Sequence, residues 1–220
     1  MVPLSLKADS ITLEFKGRKI LQDVHIDCQQ GEIVGLLGRN GCGKSSLLKI
    51  IFGTLKPIYK YVGINGEVLQ DNFSDRRIAY LPQHNYLPKG LKVDEVARLM
   101  VGQNQWGNFE RQPGYTDYKN KRTDQLSGGE LRRLEMLMVL YSPADFLLLD
   151  EPFTHISPVM TDWFKEQLLE ARKTKGIIVT DHQYLNIIDV SDRIVLLNNG
   201  VTKPIVDPKE LMQYGYVKNI

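Results

Sequence analysis

The stretch Gly38-Arg39-Asn40-Gly41-Cys42-Gly43-Lys44-Ser45 constrains this chain more than any other. It fits the pattern G-x-x-x-x-G-K-[ST] and lies between an apolar run, Ile33–Leu37, and a segment from Ser46 to Phe52 that reads as a helix. A strand entering and a helix leaving such a loop let successive backbone N–H groups converge on phosphate oxygens. The glycines supply the backbone freedom this needs, and the helix N-terminus adds its partial positive charge. Lys44 can neutralise β- and γ-phosphates, and the Ser45 hydroxyl can face Mg2+. Asn40, Gly41 and Ser46 are read as part of the same nucleotide-facing stretch. Cys42 lies inside it as a small filler that bound nucleotide should shield.

The rest of the chain fits an α/β fold. Ile11, Leu13 and Phe15 alternate as in a half-buried strand, and Arg77–Leu81 reads as a strand stopped by Pro82. Val93–Val101 and Glu130–Tyr141 have helical spacing, whereas Gln103–Arg122 between them is polar, loop-like and aromatic-bearing. Phe146–Leu149 reads as a buried strand, Asp162–Lys173 as a helix, Gly176–Thr180 as a strand and Tyr184–Val190 as a short helix. Arg193–Leu197 and Val201–Val206 flank Asn199-Gly200 as a hairpin. Asp207-Pro208-Lys209-Glu210 carries the signals of a last helix start. Strands alternating with helices imply a mostly parallel sheet.

Composition narrows the classes of partner. The 28 Lys and Arg against 26 Asp and Glu give a net charge of +2, so no strong field for nucleic acid or a membrane surface is expected. Two cysteines cannot make a disulfide framework and read as reduced thiols. No signal peptide is read at the start, and no segment has the roughly 18–20 apolar residues needed to span a bilayer.

Two further motifs carry chemistry. Phe146-Leu147-Leu148-Leu149-Asp150-Glu151 is an apolar strand ending in carboxylates. Asp150 is placed to hold Mg2+ and Glu151 to orient or deprotonate an attacking water beside the γ-phosphate. Leu126-Ser127-Gly128-Gly129-Glu130 contains Ser127-x-x-Glu130, a capping box, and its two glycines leave backbone donors open to an anion.

With these motifs in this order, the chain resembles the nucleotide-binding subunit of an ATP-binding cassette (ABC) transporter over nearly its whole length. Leu126–Glu130 is similar to the family's LSGGQ signature, with Glu130 in place of Gln. The resemblance implies a P-loop NTPase core with a mostly parallel sheet, an N-terminal antiparallel β subdomain and a small helical subdomain. It suggests the segments 1–82, 83–126 and 127–220 within a single ATPase domain. It also implies ATP and Mg2+ as cofactors and further site residues. Gln83 would contact Mg2+ and sense the γ-phosphate, and His182, in Thr180-Asp181-His182, would hydrogen-bond the γ-phosphate. Phe15 would stack on adenine, although its strand position fits a core residue too. His84 and His155 read as loop residues without a role.

The family pattern implies a head-to-tail dimer of two copies. ATP would lie between Gly38–Ser45 of one and Ser127, Gly128 and Gly129 of the other. Transmembrane permease subunits would supply the only membrane contact, placing the chain in the cytoplasm at the inner face of the plasma membrane. Two departures stand out: Ser157 occupies the place of an interface Asp, and Gln83–Leu126 is short for the family. Similar motifs serve lipopolysaccharide export and branched-chain amino acid uptake, so direction and substrate stay open. The alternative is a non-transport ABC ATPase, a soluble switch or assembly factor such as the iron–sulfur assembly type. A small-molecule kinase or GTP-binding switch would leave the signature and His182 unexplained.

Overall fold

The computed structural model describes residues 3–70, 72–154 and 156–217; His155 lies outside them. Near the N-terminus β1 (Ser5–Phe15) and β2 (Arg18–Gln29) pair antiparallel through a turn at Lys16-Gly17, whose φ angles of 49° and 79° suit the right-handed strand twist. In β1 Leu6 and Ala8 are buried, then Ile11 and Leu13. The inward face thus changes from even to odd positions, because an irregularity at Ser10 (φ 52°) inserts an extra residue. β3 (Ile33–Leu37) leads into α1 (Lys44–Phe52), which starts two residues earlier than the sequence suggests. β4 (Tyr59–Ile64) and β5 (Glu67–Val68) complete a four-stranded antiparallel sheet of order β2-β1-β4-β5.

The second sheet has the order β10-β9-β3-β8-β7-β6. Its members are β3, β6 (Ile78–Leu81), β7 (Phe146–Asp150), β8 (Gly176–Thr180), β9 (Arg193–Asn198) and β10 (Val201–Ile205). Neighbours are parallel except for the β9–β10 hairpin. β3, β7 and β8 are buried along their whole length, which explains why they read as apolar runs without alternation. One face, with α1 and the antiparallel sheet, forms a core around Leu36, Leu48, Leu148 and Ile178. The other, around Leu37, Leu149, Phe164 and Ile187, is covered by α5 (Gly128–Leu140), α6 (Pro158–Arg172) and α7 (Tyr184–Val190).

A third cluster corrects the expectation for Gln103–Arg122. That stretch is not loop-like: it forms a 3-10 turn (Gln103–Gln105) and two short helices, α3 (Trp106–Phe109) and α4 (Pro113–Thr116), after α2 (Val93–Met100). Phe109, Tyr115 and Tyr118 are buried against Leu134 and Met138 of α5. Single turns are too short to show helical periodicity, so the aromatic packing that orders them is invisible along the chain. α6 begins at Pro158 rather than Asp162 because Ser157 caps it and proline fits the first helical position. α5 begins at Gly128, so the signature glycines form its first turn. α8 (Glu210–Gln213) starts after the expected capping signals: Lys209 N–H donates to Asp207, and Asp207 N–H donates to Glu210.

Candidate active site

Four parallel strands deliver the candidate residues to one edge of the sheet, outside their carboxyl ends, where open α/β sheets bind ligands. β3 runs into Gly38–Ser45, β6 into Gln83, β7 into Asp150 and Glu151, and β8 into His182. The register pairs Asp150 with Thr180 and Leu81 with Leu149, so the loops emerge level with one another. One cleft is lined by Phe15, Asn40, Gly41, the run Gly43–Ser46, Gln83, Glu151 and His182. Phe15 is 49% exposed at the end of β1, beyond the core that holds Ile11 and Leu13. The structure therefore removes it from the core and puts it in the cleft beside Ile20, a residue the sequence did not flag.

Gly43 has φ 112°, a conformation that strains any residue with a Cβ, and a Cβ there would also press on the Ile20 and Leu21 side chains at 3.0 Å. Lys44 is 5% exposed, and its ammonium donates to the Gly38 carbonyl at 2.7 Å. Its present partners are the loop's own oxygens, which an incoming phosphate can replace. Ser45 donates to one Asp150 carboxylate oxygen at 2.9 Å, and Tyr80 donates to the other at 2.9 Å. Burial pushes the Asp150 carboxyl above the usual range, and these two hydroxyls oppose the shift. Adjacent hydroxyl and carboxylate oxygens beside a phosphate loop suit Mg2+, which takes few protein oxygens and shares the rest with phosphates and water.

Glu151 adopts φ 51°, in the left-handed region costly for a non-glycine residue. Its N–H donates to Thr180 at 2.7 Å, which helps hold that conformation. Its carboxylate accepts from Gln83 at 2.7 Å and from the Thr154 hydroxyl at 3.3 Å. Thr154 lies 3.2 Å from Nδ1 of His182, and that nitrogen lies 3.7 Å from Glu151. Asp181, fully buried, accepts N–H groups from Phe153 and Gln183 and so ties the His182 loop to the segment after Glu151. Gln83, Glu151 and His182 thus meet in one polar cluster.

Ser127, Gly128 and Gly129 are not brought into this cleft. They are exposed at the N-terminus of α5, and a Cβ on either glycine would meet nothing within 4 Å. Ser127 and Glu130 form the expected capping box, with bonds of 2.8 and 3.3 Å. Ser157 accepts from Met160 N–H as the cap of α6, which gives it a local role. Tyr80, Thr154 and Asp181 were missed by sequence reasoning. The nearest signals were that Tyr80 and Thr154 sit three residues from Gln83 and Glu151, and that Asp181 adjoins His182.

Cys42 provides a direct probe of the loop. Cys28 is fully buried and burial pushes its thiol far up; Cys42 is partly buried and burial raises its thiol as well, so alkylation is slow and reports Cys42, the more accessible of the two. ATP should slow maleimide labelling of Cys42 at least about tenfold, because roughly 90% occupancy leaves a tenth of the loops open. Labelling at an unchanged rate in saturating ATP would refute placement of nucleotide against this loop.

A family model described as ABC transporter matches residues 21–154. The chain is 29% identical over 230 residues to the lipopolysaccharide export system ATP-binding protein LptB of Haemophilus influenzae, covering 98% of this chain and 95% of that one. It is 32% identical over 232 residues to the sulfate/thiosulfate import ATP-binding protein CysA of Pseudomonas aeruginosa, covering 96% and 69%. Among solved structures, an ATP binding subunit of ABC transporter superposes with a TM-score of 0.84 at 24% identity, covering 96% of this chain and 93% of that one.

Proposed function

The chain belongs to the ABC transporter family and is an ATPase, and from that premise we propose that two copies close head to tail on two ATP molecules and power a transporter whose membrane path is formed by separate transmembrane subunits. The observation that carries this reading is the position of Ser127–Gly129. All three are exposed, and beside the capped Ser127 the first-turn N–H groups of Gly128 and Gly129 face solvent, away from the cleft that holds the rest of the candidate machinery. A site whose anion-binding turn faces outward is completed by a second molecule. Among the described residues no helix is long and apolar enough to cross a membrane, which fits a chain that reaches the bilayer through partners.

In the proposed cycle the backbone of Gly38–Ser45 cradles the phosphates, Lys44 turns from the Gly38 carbonyl to the β- and γ-phosphates, and Phe15 covers the adenine. Ser45, Asp150 and Gln83 would hold Mg2+, which supplies charge neutralisation on the phosphate oxygens. Glu151 accepts a proton from the attacking water as the new bond to the γ-phosphorus forms. The bond to the β–γ bridging oxygen breaks, and ADP leaves with that electron pair. His182 fixes the γ-phosphate, and Thr154 keeps the imidazole near Glu151. Catalysis here is positioning and charge stabilisation.

Co-purification from native membranes tests the transport role. A chain with several apolar spans should come down with this protein, and deleting that chain should release the ATPase from the membrane fraction. Recovery only in the soluble fraction, with partners that lack spans, would turn the assignment to a switch or assembly ATPase.

A further inference from the structure

The loop that carries Gln83 is held at both ends by one helix. Arg132 of α5 donates to the Pro82 carbonyl at 2.7 Å, one residue before Gln83. Glu135, one turn further along α5, accepts the N–H groups of Tyr86 and Leu87 on a single carboxylate oxygen, at 2.7 and 3.0 Å. Both side chains are inside the protein, at 5% and 0% exposure. Their mutual contact is long, 3.7 Å, and the second nitrogen of Arg132 and the second oxygen of Glu135 have no hydrogen-bond partner.

Burying two charges costs several kcal/mol per ion, and a long, incompletely bonded pair recovers little of it. Apolar side chains would serve α5 better if the helix needed only packing. The strong hydrogen bonds these charges make are the ones to the backbone of residues 82–87. Backbone amides in a loop lack the ladder partners of a strand or helix, so these bonds fix the loop's course. Between the anchors, Gln83 reaches Glu151 at 2.7 Å.

We propose that Arg132 and Glu135 are positioning residues that lock the Gln83 loop to the helix presenting Ser127–Gly129, so that a displacement of the signature turn moves Gln83 relative to Glu151. Arg132 and Glu135 fall within the first eight residues of α5, close to that turn on a continuous hydrogen-bonded rod. The inference rests on the proposed role of Gln83 at the ATP site. It adds a route by which a signature turn engaged with the partner's ATP changes the chain's own site.

The test is a double-mutant cycle in ATP turnover, combined with hydrogen exchange of the 83–91 segment. Glu135→Leu removes the acceptor and keeps the volume; Glu135→Gln keeps one carbonyl oxygen for the two N–H groups. Glu135→Leu should lower kcat at least about tenfold, leave KM for ATP within about twofold, and expose the Tyr86 and Leu87 amides to exchange. Glu135→Gln should retain most of the activity and the protection. In a Gln83→Ala background, Glu135→Leu should cost no further activity, because both changes remove the same function. Additive losses would overturn the proposal, as would unchanged kcat in Glu135→Leu when Gln83→Ala alone is impaired. If Gln83→Ala alone has full activity, the role of Gln83 itself fails. Should Glu135→Leu not fold, Glu135→Asp draws the carboxylate back by one methylene and takes its place in the same cycle with the same expected non-additivity.

Discussion

Glu151→Gln is expected to lower ATP turnover by about 10²–10⁴-fold, the range for removal of a general base, while leaving ATP affinity nearly unchanged. The amide keeps the size and one acceptor oxygen of the carboxylate, so Gln83 and Thr154 retain a partner at distances now 2.7 and 3.3 Å. The left-handed backbone at residue 151 is set by its bond to Thr180 and by the strand before it, neither of which involves the side chain. What disappears is the ability to take a proton from water. The phosphate loop, Lys44 and Asp150 are untouched, so bound ATP persists. In the proposed dimer ATP then becomes a lasting bridge between one copy's Gly38–Ser45 and the other's Ser127–Gly129. Light scattering of Glu151→Gln with ATP should give twice the protomer mass, and with ADP the protomer mass. A monomer in saturating ATP would remove the head-to-tail arrangement, and wild-type turnover would remove Glu151 as the base.

The parts of the site that sequence reasoning reached are those whose chemistry is local. Gly38–Ser45 is contiguous, and its flanking strand and helix announce themselves by an apolar run and by helical spacing. Asp150 and Glu151 end a buried strand, so their polarity contrasts with Phe146–Leu149. Tyr80 bonds a residue 70 positions away, through the parallel pairing of β6 with β7. No pattern near Tyr80 encodes that register. Thr154 and Asp181 matter through two loops that meet only when β7 and β8 are adjacent. Phe15 illustrates a different gap. Alternation placed it on the same face as Ile11 and Leu13, but the strand outruns its core, and only the structure shows where burial stops. The short helices of residues 103–116 were misread because aromatic contacts with α5, and not periodicity, order them.

Lys44→Ala should weaken ATP binding by at least about 2 kcal/mol, roughly thirtyfold in Kd, the lower end for truncating one partner of a buried charged pair. Lys44 is nearly inaccessible, so its ammonium sits where solvent cannot replace it. Among the described residues its hydrogen-bond partners are the carbonyls of Gly38 and, at 3.4 Å, Arg39. A triply charged phosphate tail is a far stronger partner than two carbonyl groups. The favourable exchange of one for the other needs the ammonium, and alanine abolishes it. Alanine suits the first turn of α1, so the helix should persist. Glu151→Gln/Lys44→Ala separates the two contributions: the first change blocks hydrolysis, and the second should then prevent the ATP-held dimer from accumulating at ATP concentrations that saturate Glu151→Gln. Fluorescence titration with an ATP analogue and light scattering at the same concentrations read both quantities. Wild-type affinity in Lys44→Ala, with its far-UV spectrum intact, would end the assignment of Gly38–Ser45 as the phosphate site.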